Sequence, residues 1–188
     1  MPASAPGDES TAEDSGGHVP PSAEPGAAST GEPAGRLAAL SVCTPVAGRV
    51  LAMVEVPDPV FSAAMVGPGL AVDPMRTPGT AVSPIAGSIV KLHPHAFVVV
   101  AGDGRGVLVH LGIDTVQLNG AGFELLAQEG DAVEPGTAVV RWNPADVEAG
   151  GRSPICPVVA LDAGADAVSD PEPVGRWLTA GERLFTWA

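Results

Sequence analysis

The chain has 188 residues and a formal net charge of −13, with an isoelectric point near 4.4. This acidic balance argues against binding to nucleic acid or to anionic membrane surfaces, and it favours partners with basic docking faces. No apolar run approaches the roughly 18 residues that a membrane span needs, and the acidic N-terminus lacks the features of a secretory signal. Cys43 and Cys156 have no metal-ligand spacing, so we expect two buried, reduced thiols in a cytoplasmic protein.

The first 36 residues differ in composition from the rest of the chain. They are rich in Pro, Ala, Gly and Ser, and residues 1–35 hold six Asp or Glu and no Lys or Arg. Such a segment cannot bury enough apolar surface to offset its ordering entropy. The sequence therefore predicts a disordered acidic tail over residues 1–36 and a folded domain over residues 37–188.

Short β-branched runs, cut by Gly and Pro, fill the rest of the chain. Helical patterns are weak and occur only near residues 57–65, where Asp58 is suited to cap the helix, and near residues 143–149. Many short strands with frequent turn signals predict an all-β antiparallel sandwich or barrel. The predicted strands cover residues 41–54, 69–72, 80–92, 95–101, 107–115 and 138–142.

The sequence also contains an internal repeat. The motif TPVAGRV at residues 44–50 returns as SPIAGSI at residues 83–89, and residues 129–140 have a looser counterpart in residues 175–185. Two copies are too few for a solenoid. They predict instead a duplicated β unit folded around one core.

The densest apolar run, GVLVHLGIDTV at residues 106–116, carries a histidine in its middle. Read as a strand, it places His110, Gly112 and Asp114 on one face together with Leu108. A buried structural histidine and a functional one both fit this pattern. Because Gly112 has no side chain, we expect room for another molecule to approach the His110 ring.

A second histidine lies upstream, in LHPHAFVVVA at residues 92–101, and the turn GDGR separates the two runs. A hairpin centred between Gly102 and Asp103 pairs His95 with His110, with Cβ atoms about 4.5–5.5 Å apart. This register predicts a site that contains two imidazoles. A zinc site formed with His93 is a weaker alternative, because His93 and His95 face opposite ways unless the strand begins at His95.

Five motifs together resemble the glucose-type IIA component of the bacterial phosphoenolpyruvate-dependent sugar phosphotransferase system. They are VPDPVF at 56–61, PHAF at 94–97, VHLGIDTV at 109–116, GFELLAQEGDAVEPG at 122–136 and PVV at 157–159. The resemblance covers roughly residues 41–188. It implies an antiparallel β-sandwich of the duplicated hybrid type, in agreement with the repeat.

The resemblance also implies a phosphotransferase with a phosphohistidine intermediate and no cofactor. His110 would accept the phosphoryl group from the phosphocarrier HPr and pass it to a cysteine of a IIB or IIBC sugar permease, while His95 would stabilise the phosphoryl oxygens. Proteins whose activity this chain would regulate are a further class of expected partner. The sugar itself is chosen by permease domains and is not encoded here.

Further residues match family positions around the two histidines. By resemblance, Asp58 and Asp114 lie near the site, and we expect both carboxylates to engage an arginine of the donor. The family's apolar docking surface corresponds here to Val60, Phe61, Phe97 and Leu108.

Two other functions compete with this interpretation. One is a zinc-dependent, peptidase-like β domain in which His95 and His110 would be metal ligands, although we expect no metal. The other is a purely regulatory binding module in which His110 no longer undergoes phosphoryl transfer.

Since residues 1–36 lack an amphipathic pattern, we expect no direct membrane insertion. His93 stands where the family more often has a small polar residue, and its role is open.

Overall fold

A computed structural model describes residues 37–188, so the tail predicted over residues 1–36 lies outside the described residues. The described part contains fourteen strands and two short α-helices. The strands are β1 (Leu40–Cys43), β2 (Gly48–Ala52), β3 (Gly69–Pro74), β4 (Gly79–Val82), β5 (Gly87–His93), β6 (Ala96–Val100), β7 (Gly106–His110), β8 (Phe123–Leu125), β9 (Ala132–Val133), β10 (Ala138–Trp142), β11 (Cys156–Ala160), β12 (Val168–Ser169), β13 (Trp177–Leu178) and β14 (Arg183–Trp187). The helices are α1 (Pro59–Ser62) and α2 (Pro144–Ala149).

The strands form three antiparallel sheets. The largest has eight strands in the order β13-β2-β3-β11-β7-β6-β5-β9, and two three-stranded sheets have the orders β1-β14-β12 and β4-β10-β8. This architecture confirms the prediction of an all-β antiparallel fold. Within residues 37–188, no helix is long and apolar enough to cross a membrane.

The repeat found in the sequence appears as a symmetry of strand order. Each half of the large sheet contains one copy of the repeat, on β2 in one half and on β5 in the other. The two copies also use the same local bond, since Thr44 Oγ1 donates to Val46 O and Ser83 Oγ donates to Ile85 O, both at 2.7 Å. A duplicated unit therefore builds one fold, as predicted.

The two copies are bonded to each other as well. Cys43 N donates to Pro84 O and Val82 N donates to Pro45 O, both at 2.9 Å. These exchanged bonds join the copies around the main hydrophobic core, which contains side chains from both halves. Neither half can bury its apolar face without the other, so the duplication forms one cooperative core.

A second, smaller core lies beside the main one and supports the site. It contains Phe61 and Val56 from the segment between β2 and β3, packed against Val159 of β11 and Ile113 after β7. Leu108 of β7 packs against the same group. The connection that carries α1 therefore folds onto the face of the sheet that bears Leu108.

Both helices begin with a side-chain cap, and the cap at Asp58 is the one that the sequence predicts. The Asp58 carboxylate accepts from Val60 N at 2.8 Å and from Phe61 N at 3.1 Å, and Asn143 Oδ1 accepts from Ala145 N at 3.2 Å. Helix α1 is shorter than the predicted 57–65. It ends before Ala64, whose φ of 51° is left-handed and incompatible with helix.

The two cysteines are free and buried, as expected. Cys156 lies in the main core, and burial raises the pKa of its thiol to about 12. Burial likewise raises the pKa of the Cys43 thiol. Both side chains act as small apolar groups at neutral pH, because their thiolates are not populated.

The hairpin register differs from the prediction by one residue. Ala96, and not His95, pairs with His110. The connection between β6 and β7 is longer than a two-residue turn and is closed by Ala101 N donating to Arg105 O at 2.9 Å. Gly104 has a left-handed φ of 91° in this loop, and the Asp103 carboxylate accepts from Arg105 N at 3.0 Å. The buried Arg105 side chain also donates to Trp187 O at 2.8 Å.

Candidate functional site

His110 is the last residue of β7, where the strand leaves the sheet. Its Nδ1 donates to Gly112 O at 2.5 Å, since a carbonyl oxygen can only accept. The hydrogen on Nδ1 leaves Nε2 as the unprotonated nitrogen of the neutral ring. The Phe61 ring packs against the imidazole edge-on, with centroids 5.4 Å apart. His110 is thus fixed in one tautomer and one orientation.

The chain turns sharply after His110, so the strand predicted to continue to residue 115 ends earlier. Gly112 has a φ of 79° and Asp114 a φ of 59°, and a 3-10 turn follows. A Cβ at Gly112 would lie 2.7 Å from Thr115 Cγ2 and 2.9 Å from Ser153 O. This glycine is therefore required by the turn and by close packing, and the approach of another molecule to the His110 ring stays a prediction.

Thr115 supports the turn and was missed by the sequence analysis. It is fully buried, and its Oγ1 donates to Leu111 O at 2.8 Å and more weakly to Gly112 O at 3.5 Å. Its hydroxyl therefore contacts the same carbonyl that accepts from His110. The available signal was a Thr directly after a Gly-x-Asp turn, where a hydroxyl often bonds to preceding carbonyls.

His95 lies in the two-residue turn between β5 and β6, next to Pro94. Its carbonyl accepts from Leu111 N at 2.7 Å, which ties the turn to the residue after His110. The two imidazole centroids are 5.3 Å apart, at an interplanar angle of 59°. The predicted meeting of two rings is confirmed, although the backbone pairing that was expected to produce it is not.

His93 joins the other two histidines. Its ring stacks on that of His95, with centroids 5.8 Å apart and an angle of 15°. The expectation that these side chains face opposite ways is wrong, because the two-residue turn pairs His93 with Ala96 and reverses the chain between them. Across residues 37–188, no three His, Cys, Asp or Glu side chains are arranged to hold a metal ion.

Both central imidazoles favour the neutral form. Burial lowers the pKa of His110, and the Gly112 hydrogen bond and the charges of Asp58 and Asp114 only partly oppose this. Burial also lowers the pKa of His95, helped by repulsion from His110 and His93. At neutral pH the site therefore offers an unprotonated Nε2 on His110, which is the form a nucleophilic nitrogen needs.

The two predicted carboxylates, Asp58 and Asp114, both lie close enough to His110 to act on its charge. Asp58 is half-buried at the start of α1, and Asp114 is exposed in the turn. Their electrostatic effect on His110 places both near its ring. In the described part of the chain neither forms an ion pair, since Arg152 Nε bonds to the Asp114 carbonyl and not to its carboxylate.

The four residues expected to form the apolar docking surface divide into two pairs. Val60 is 41% exposed and Leu108 is half-buried, whereas Phe61 is 9% exposed and Phe97 is 1% exposed. Phe97 belongs to the main core and Phe61 to the small one, so neither offers docking area. Sequence reasoning missed three exposed apolar side chains that flank α1 and the turn after β7, namely Val54, Met65 and Val116.

A duplicated antiparallel β fold that presents paired neutral imidazoles is the architecture of a histidine phosphoryl carrier. Residues 40–165 match the family model described as phosphoenolpyruvate-dependent sugar phosphotransferase system, EIIA 1. The chain belongs to this family. It is a phosphoryl carrier and a transferase with a phosphohistidine intermediate, as the sequence predicted.

Relatives from several organisms agree with this assignment. The glucose-specific EIIA component of Staphylococcus aureus strain MSSA476 is 40% identical over 122 residues, which are 64% of this chain and 72% of the relative. That of Bacillus anthracis is 38% identical over 143 residues, covering 75% and 85%. The solved structure of glucose permease IIA from Mycoplasma capricolum matches with a TM-score of 0.72 and 28% identity, covering 79% of this chain and 95% of that one. These comparisons do not support the peptidase or the purely regulatory alternative.

Proposed function

We propose that His110 is the phosphoryl acceptor of this carrier, loaded by phospho-HPr and unloaded by a cysteine of a IIB or IIBC sugar permease in the cytoplasm. The observation that carries this proposal is the bond from His110 Nδ1 to Gly112 O. It holds the proton on Nδ1 and leaves the lone pair of Nε2 free to attack. Because phosphoryl transfer asks mainly for positioning and charge stabilisation, this geometry suits the reaction.

Each transfer step conserves atoms and charge in a simple way. In loading, the Nε2 lone pair of His110 attacks phosphorus, the N–P bond of the donor phosphohistidine breaks, and the donor nitrogen recovers its lone pair. In unloading, a cysteine thiolate attacks phosphorus and the Nε2–P bond breaks. The proton stays on Nδ1, hydrogen-bonded to Gly112 O, throughout both steps, so no external base is needed at His110.

His95 is proposed to hold the phosphoryl oxygens. Its ring centroid lies 5.3 Å from that of His110, which leaves a phosphoryl group on Nε2 within reach of an imidazole N–H. Charge-assisted hydrogen bonds to such oxygens are stronger than neutral ones. We expect this contribution to matter most when the group departs, so His95→Gln should slow onward transfer more than loading.

The surface around His110 is proposed to dock both protein partners. Asp58 and Asp114 supply negative charge without an ion-pair partner in residues 37–188, and Val60 and Leu108 supply apolar area. Apolar contact surrounded by complementary charge is typical of transient recognition. We propose that an arginine of HPr pairs with these carboxylates during loading. Since the relatives carry glucose-specific names, a glucose permease is the proposed acceptor.

The test is to label the protein with radioactive phosphoenolpyruvate, enzyme I and HPr. We expect one acid-labile, base-stable phosphoryl group per chain. His110→Gln should abolish the label, and His95→Gln should retain it while transfer to a glucose-type IIB domain falls by at least about 10-fold. Label that arrives on the His110→Gln variant would overturn the assignment of the acceptor.

A further inference from the structure

The third imidazole has no part in the relay described so far. His93 is the last residue of β5 and is exposed, His95 follows in the turn, and His110 ends β7. The His95 ring contacts both of the others, with centroid separations of 5.8 Å from His93 and 5.3 Å from His110. The His93 ring lies almost parallel to that of His95, at 15°.

Apart from its tilted contact with His110, the His95 ring is in contact with one other aromatic ring among residues 37–188, that of His93. Among residues 37–188, no group hydrogen-bonds to the His95 imidazole, whereas the His110 ring is fixed by Gly112 and Phe61. A half-buried ring on a turn residue rotates between rotamers unless packing prevents it. The stacked face of His93 restricts that rotation, because leaving the stack loses the aromatic contact.

We propose that His93 is a positioning residue for phosphoryl transfer, which holds the His95 ring by stacking so that its N–H faces the phosphoryl group on His110. This inference rests on the proposed roles of His110 and His95. His93 does not touch the phosphoryl group. It lowers the ordering cost that His95 would otherwise meet in the transition state of unloading.

A second consequence of the stack concerns charge. The titratable groups that face His95 are His93 from β5 and His110 from β7, while Asp58 and Asp114 act mainly on His110. A protonated His93 repels a proton on His95. Replacing His93 by any uncharged residue should therefore raise the pKa of His95, whether or not the new residue stacks. This readout separates the effect on charge from the effect on ring position.

The experiment compares His93→Ala, which removes the stack, with His93→Phe, which keeps a stacking ring without a titrating nitrogen. Ser88→Ala, at another exposed position of β5, is the matched control. Each protein is loaded through enzyme I and HPr, and transfer to a glucose-type IIB domain is timed. We expect full loading in all three. Unloading should slow about 3- to 10-fold in His93→Ala, and should recover to within about 2-fold of the wild type in His93→Phe.

Nuclear magnetic resonance of the imidazole protons provides an independent measurement on the wild type and on both His93 variants. Contacts between the ring protons of His93 and His95 should be visible, and the titration of His95 should shift upward in both His93 variants. Equal unloading rates for His93→Ala and the wild type would overturn the inference, as would equally slow rates for His93→Ala and His93→Phe. Failure of the wild type to take up label on His110 would instead overturn the proposed function.

Discussion

The carbonyl oxygen of Gly112 lies 2.5 Å from Nδ1 of His110, two residues earlier in the chain. This bond closes a small ring of backbone and side chain that fixes the tautomer of the imidazole. Its acceptor is positioned by a left-handed glycine, with a φ of 79°, and by the hydroxyl of the buried Thr115. The tautomer assigned to His110 therefore depends on a backbone turn.

Gly112→Ala should disrupt both folding and transfer. The new Cβ would lie within 3 Å of Thr115 Cγ2 and Ser153 O, in a conformation that L-residues rarely adopt. We expect the free energy of unfolding to fall by about 2–4 kcal/mol, and loading of His110 to fall at least 10-fold at a temperature where the variant is still folded, about the cost of misplacing a reacting group. Urea unfolding and phosphoryl labelling measure the two effects.

Gly130→Ala is the matched control for this change. Gly130 has a similar φ of 92°, but a Cβ there would meet nothing within 4 Å. Only the conformational cost of about 1–2 kcal/mol should appear, with loading unchanged. Equal losses of loading in the two variants would show that the packing around Gly112 is not what matters.

Substitutions at Asp58 should separate helix capping from docking. Asp58→Asn keeps an oxygen that caps α1 but removes the charge, so stability should change by less than about 0.5 kcal/mol while the KM for phospho-HPr rises about 3- to 10-fold. Asp58→Ala should show the same rise in KM together with a loss of about 1 kcal/mol in stability. Steady-state loading at low and high salt tests the docking part, since the rise should shrink as salt increases. A KM unaffected by Asp58→Asn would exclude this carboxylate from docking.

Stability should decrease as the solution becomes moderately acidic. The pKa values of His95 and His110 lie below the usual value of about 6.5 in the folded protein, so the unfolded chain binds more protons between the folded and unfolded pKa values. The part of the stability that depends on these two neutral histidines is fully present above about pH 6.5, and it is lost as pH falls through their lower pKa values in the folded protein. Urea unfolding between about pH 7.5 and 5 should show this slope, and it should flatten in the double variant His95→Gln/His110→Gln. An unchanged slope in that variant would assign the effect to other groups.

Arg105 should matter for stability but not for phosphoryl transfer. Its guanidinium is buried and donates to Trp187 O at 2.8 Å and to Ala38 O at 2.7 Å, and it pairs with Asp103. Arg105→Ala would leave the buried carbonyl of Trp187 without its donor and would remove the bonds to Ala38 O and Asp103, so we expect a loss of about 2–4 kcal/mol in urea unfolding with loading of His110 retained. Arg141→Ala, which breaks only an exposed pair, should cost less than about 1 kcal/mol. Similar costs for both variants would contradict the assigned anchoring role.

Much of this protein follows from its sequence alone. Short alternating runs cut by Gly and Pro are sufficient for an antiparallel β fold, because side-chain periodicity decides which face is buried. The repeated motif at residues 44–50 and 83–89 indicates duplication. In both copies the hydroxyl of the first residue donates to the carbonyl two residues later. The proximity of the His95 and His110 rings follows from their positions on the two sides of one turn.

Other features were decided only by the tertiary structure. Ala96 pairs with His110 in place of His95, and the Arg105 side chain beside this loop bonds to residues at both ends of the domain, a contact that no local pattern reports. The burial of Phe61 and Phe97 likewise depends on which elements cover them. The stacking of His93 on His95 arises from a two-residue turn that a strand pattern does not reveal. Local sequence fixes periodicity and turns, whereas burial and register depend on distant contacts that form only when the whole core closes.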